Sequence, residues 1–92
     1  MNHSNSSTAA AAATTLDSIV LNQPALVVAV NDNDIDDMVS KRLRDIGFVE
    51  GEPVTLIARG LFGGGPLLAQ IGYTRFALRR AEAKRIIVKS LS

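Results

Sequence analysis

The chain has 92 residues, a formal net charge of +1 and no cysteine. That length suits one small domain with a modest core, not a cleft between two domains. The missing thiols exclude a disulfide framework, a thiolate zinc site, an iron–sulfur cluster and a cysteine nucleophile together, and fit a reducing cytoplasm. The net charge hides a polarity. The first forty residues hold five aspartates and no lysine or arginine, whereas Arg75 to Lys89 carries six basic residues against the single Glu82.

The N-terminus, "MNHSNSSTAAAAATT", offers no apolar face to bury and lacks the charged start of a secretory signal. Residues 1–15 therefore read as a disordered polar, alanine-rich tail, and residues 16–92 as the domain. No apolar run is long enough to span a bilayer, so membrane insertion is not expected. His3, the only histidine, falls in the tail.

Leu16, Ile19, Val20 and Leu21 form a short apolar patch before Pro24. "ALVVAV", Ala25 to Val30, is β-branched and bounded by turn residues, the pattern of a buried strand. The period then changes: Ile35, Val39, Leu43 and Ile46 recur at helical spacing, which predicts an amphipathic helix over Asp34 to Ile46. Asn33 or Asp34 can cap it, Asp36 and Asp37 oppose the positive end of its dipole, and Gly47 ends it. Phe48 folds back onto the apolar stripe and Gly51 makes a turn. "PVTLIAR", Pro53 to Arg59, Leu67 to Ile71, Arg75 to Leu78 and "IIVKS" supply four more strands, with a helical turn at Arg80 to Arg85. Five short strands with one amphipathic helix and a short second one predict a mainly β, partly open small barrel.

The glycine run in "LFGGGPLLAQIGYTRFALRR" is followed by Pro66 and a β-like stretch, not by the lysine, hydroxyl and helix of a phosphate-binding loop, so it reads as a hairpin connection. Leu61 and Phe62 beside Gly63, Gly64 and Gly65 have two readings: core tucked beneath the loop, or a knob that binds a partner. Asp32, Asp34 and Asp36 alternate like the first ligands of a calcium loop, but Asp37 stands where the turn needs glycine and Leu43 where the bidentate glutamate belongs. At most a weak divalent-cation site follows, and no cofactor is expected. With no histidine outside the tail and no cysteine, the chain lacks the usual catalytic bases and nucleophiles. It does not read as an enzyme. Asp45 and Glu50 flank the turn after the helix, where helix termination and solvation explain them.

"RLRDIGFVEG" from Arg42 to Gly51, "GGP" at Gly64 to Pro66 and "FALRRAEAKRIIV" from Phe76 to Val88 closely resemble the FeoA family, small cytoplasmic proteins that accompany the FeoB ferrous iron transporter. The resemblance runs from about Leu16 to near the C-terminus. Its most specific pieces are Leu43, Asp45, Ile46 and Gly47 with Gly51, and Leu78 with Arg79 before a short helix. It implies an SH3-like barrel and a regulatory or assembly role, with FeoB and its cytoplasmic GTP-binding domain as the partner. The chain departs from the pattern at Phe62 and Gly63, where relatives carry proline and then leucine. Candidate partner-binding residues are Leu61, Phe62, Gly63, Gly64 and Gly65, with Arg79, Arg80 and Lys84 as a second contact. Two alternatives stand beside this reading. One is a nucleic-acid-binding barrel using Arg75, Arg79, Arg80, Lys84 and Arg85, for which only Tyr73 and Phe76 offer stacking surfaces. The other is a self-associating scaffold, a homo-oligomer.

Overall fold

The structure is a computed structural model that describes residues 13–32, 37–60 and 65–91. Its described residues form one antiparallel six-stranded sheet in the order β1-β6-β2-β3-β4-β5. The strands are β1 (Thr14–Thr15), β2 (Pro24–Val30), β3 (Pro53–Arg59), β4 (Leu67–Ile71), β5 (Thr74–Leu78) and β6 (Ile86–Ser90). Two helices interrupt them, α1 (Met38–Asp45) and α2 (Arg80–Ala83), and a 3-10 turn covers Leu16–Ser18. The fold is mainly β, as the alternating short apolar runs predict. It begins earlier than Leu16, because Thr14 and Thr15 pair with Val88 and Ile87 of β6.

Apart from the two-residue β1, the strands send alternate residues to one core. In β4, Leu67 and Ala69 are buried while Leu68 and Gln70 are half-buried; in β3, Val54 and Leu56 are buried. Alternation of this kind marks a sheet with one covered face. The register shifts between Val27 and Ala29 in β2 and between Leu56 and Ala58 in β3. Such bulges bend a strand, which lets a small sheet curl around its core. Phe48 fills the centre without exposure and meets Phe76 at a centroid distance of 6.0 Å and an interplanar angle of 56°. Such tilted ring pairs are worth roughly 0.5–1.5 kcal/mol beyond the area they bury.

Helix α1 differs from expectation at its start. Its N-cap is Asp37, in extended conformation, whose carboxylate accepts the Ser40 N–H at 3.1 Å. Asp37 thus caps the helix where Asn33 or Asp34 was expected; residues 33–36 lie outside the described residues. Leu43 is fully buried, and Val39 and Ile46 pack against the core. At the other end Gly47 has φ +125°, a conformation side chains rarely adopt, and the Phe48 N–H returns to the Leu43 carbonyl at 3.1 Å. The chain leaves the helix and delivers Phe48 to the core within one residue.

Ser40 lies on the inner side of α1 with no exposure. Its hydroxyl donates to the Asn31 carbonyl at 2.6 Å and accepts from Arg85 Nη1 at 3.4 Å. Arg85 also pairs with the Asp37 carboxylate. One polar cluster thus ties the start of α1 to the end of β2 and the approach to β6.

Candidate partner-binding surface

The β3–β4 connection is pinched at its base. A Cβ placed on Gly60 would lie 2.3 Å from the Cα of Gly65 and 2.5 Å from its carbonyl carbon, so the two backbones touch where the loop begins and ends. Only glycine permits this approach without moving one of the strands. Leu61, Phe62, Gly63 and Gly64 lie outside the described residues; Gly65 and the exposed Pro66 re-enter the sheet ahead of β4.

Register brings Arg79 to the same end of the sheet. Leu67 pairs with Leu78, so the next residue on each strand, Pro66 and Arg79, flank the neck of the loop. Arg79 is exposed, and its N–H donates to Glu82 Oε1 at 2.8 Å at the start of α2. Glu82 also meets Arg42 Nη1 at 3.4 Å, linking α2 to α1. Arg80 is half-buried, and its Nε is shielded from solvent with no acceptor among the described residues. Lys84 is exposed just past α2. No described carboxylate pairs with the side chains of Arg79, Arg80 or Lys84, whereas Lys41, Arg42, Arg44 and Arg85 each have one. The cationic end of the chain therefore keeps part of its charge available beside the glycine neck.

The other singled-out residues shape the fold. Leu43 and Ile46 serve the core, and Asp45 forms an exposed i, i+4 pair with Lys41 at 3.0 Å. Pairs of this kind contribute roughly 0.3–0.5 kcal/mol. Gly51 has φ +88° and donates its N–H to the Val27 carbonyl at 2.8 Å. The residues offered for base stacking do not act together: Tyr73 is fully exposed at the tip of the β4–β5 turn, while Phe76 faces inward against Phe48. The nucleic-acid reading therefore has no aromatic platform on this face.

Nor does another constellation suggest chemistry. A depression of about 190 Å³ near the chain ends is lined by Thr14, Ser18, Ile19, Val20, Pro24 and Ser90 among others, none of them ionisable. No group of three or more histidine, aspartate or glutamate residues able to hold a metal ion occurs among the described residues.

The arrangement has known counterparts, beginning with a model of the FeoA domain that matches residues 14–90. The chain belongs to the FeoA family. That family is associated with ferrous iron transport. The FeoA of Stenotrophomonas maltophilia, solved with zinc and described as an SH3 domain protein suggested to activate bacterial ferrous iron transport, is 49% identical. The match covers 82% of this chain and 88% of that one, with a TM-score of 0.75. Iron(II) transport protein A of Clostridium thermocellum is 26% identical over 85% of this chain and 46% of its own, at a TM-score of 0.73. A manganese-dependent transcriptional repressor shares the fold alone, at 22% identity and a TM-score of 0.75, over 88% of this chain and 43% of that one. No curated protein sequence matches the chain. The curled sheet is thus the SH3-like barrel of this FeoA protein.

Proposed function

We propose that this FeoA protein is a cytoplasmic accessory factor of ferrous iron uptake that acts by contact with the FeoB transporter, on its cytoplasmic GTP-binding part. Iron is then the cargo of the partner, and this chain neither carries it nor catalyses a reaction. The carrying observation is the pinched Gly60–Gly65 neck beside an exposed Arg79 whose guanidinium pairs with no described carboxylate. Leu61 and Phe62 follow Gly60 directly in the sequence, and a bulky apolar pair in a short glycine-rich connection favours contact with another protein over solvation. Arg79, Arg80 and Lys84 supply the cationic flank for an acidic surface on that protein.

No described helix is long and apolar enough to cross a membrane, which fits a chain that visits a membrane protein instead of spanning beside it. The test is capture. The purified full chain on beads, exposed to detergent-solubilised membranes, should retain FeoB, and retention should fall as salt rises if the cationic flank contributes. Failure to retain FeoB from membranes that contain it would overturn the assignment.

A further inference from the structure

At one border of the sheet, β5 pairs with β4 alone among the described residues. Gly72 and Tyr73 form the turn between them, closing on Ile71 and Thr74. A two-residue hairpin turn closes on a hydrogen-bonded pair, and antiparallel pairs then alternate. Thr74, Phe76 and Leu78 therefore bond to β4, while the N–H and C=O groups of Arg75 and Ala77 point out of the sheet. No backbone group from another element reaches either residue among the described residues.

The side chains add a pattern to this open edge. Arg75 and Ala77 are exposed, and Arg79 continues their row past the strand end in extended backbone. Arg75 Nε donates to Gln70 Oε1 at 2.9 Å, and neither the Arg75 nor the Arg79 guanidinium pairs with a described carboxylate. Between the two arginines, Ala77 lies opposite Leu68, which lies opposite Ala58, so a weakly apolar strip crosses the face.

We propose that the edge of β5 accepts an extended acidic segment of a partner protein as an added strand. Backbone bonds to Arg75 and Ala77 would hold it, carboxylates four residues apart would face Arg75 and Arg79, and a small or apolar residue between them would lie beside Ala77. A second copy of this chain is the poorer occupant. Two β5 edges joined antiparallel bring both arginines of each copy onto one face, where like charges oppose pairing. The inference rests on the reading that the domain works by binding a protein, but not on FeoB being that protein.

The probe is a short labelled peptide with two glutamates four residues apart, a valine midway between them and threonines at the intervening positions, titrated with the full chain and compared with its counterpart carrying lysine for glutamate. The parent should bind the acidic peptide at least about tenfold more tightly, and binding should protect the Arg75 and Ala77 amides from hydrogen exchange. Ala77→Pro removes an outward N–H and spares the β4 ladder, so it should weaken binding by at least about tenfold. Should that variant unfold, the Arg75→Glu, Arg79→Glu double variant replaces it and should reverse the preference between the peptides. Absence of acidic-peptide binding, undiminished binding by folded Ala77→Pro, or a parent dimer abolished by Ala77→Pro would overturn the proposal. Capture of FeoB separates the two readings: FeoB retained by a parent that binds no acidic peptide keeps the transporter assignment and overturns the edge. Peptide binding and amide protection as expected, with no FeoB retained, support the edge and overturn the transporter assignment.

Discussion

Arg85, between α2 and β6, pairs with Asp37, the residue that caps α1. The Asp37 side chain is 5% exposed and that of Arg85 is 20% exposed, and Ser40 joins both. One carboxylate thus caps the start of a helix and anchors a cation forty-eight positions later in the chain.

Two substitutions separate these roles. Asp37→Ala removes both, and stability should fall by about 3–5 kcal/mol, the usual cost of stranding one member of a largely buried pair. Asp37→Asn keeps a good N-cap and removes only the charge, so its loss should be clearly smaller. Equal losses in urea unfolding would show that the pair alone, not the cap, holds this corner, and would contradict the capping role.

Gly47 is required by its backbone. A Cβ there would meet Ile71 only at 3.6 Å, ordinary contact, so space does not decide the matter. The positive φ does: Gly47→Val should destabilise by about 1–3 kcal/mol. An unfolding midpoint equal to that of the parent would contradict this turn.

Gly60 presents the opposite case, in which space decides. Gly60→Ala places a methyl group against the Gly65 backbone, and overpacking of this kind typically costs about 1–3 kcal/mol. The amide resonances that move should cluster at the ends of β3 and β4, where the strands must part. A variant with unchanged stability and spectra would contradict the pinched neck.

Much of this was legible in the chain itself. β3 spans Pro53–Arg59 as its alternation predicts, because β-branched residues bounded by turns act locally. β1 was not legible: two threonines gain their strand only by pairing with Val88 and Ile87, more than seventy positions away. Nor does any local pattern mark Ser40 as buried, since its polar partners are Asn31 and Arg85, distant in the chain. Among the candidate site residues, the glycine run marked the loop and the arginines marked the cationic end. Their meeting at Pro66 and Arg79 follows from strand register, which no local pattern spells out.

Metal affinity should be weak. With no cysteine and a single histidine at position 3, the full chain has only carboxylates and that imidazole to offer. Anaerobic calorimetry with ferrous ion should give no submicromolar binding. Tight binding that survives removal of residues 1–12 would contradict the assignment of iron to the partner.

Phe62→Ala tests partner contact through the loop most directly, with affinity for the cytoplasmic GTP-binding part of FeoB and folding stability measured on the same full-length variant. The parent should bind, and the substitution should weaken binding by about 1–3 kcal/mol while leaving the unfolding midpoint near that of the parent. A loss of about 3–5 kcal/mol in folding stability would instead mark Phe62 as core. A folded Phe62→Ala chain that binds FeoB as tightly as the parent, or a parent that does not bind it, would contradict recognition through this loop.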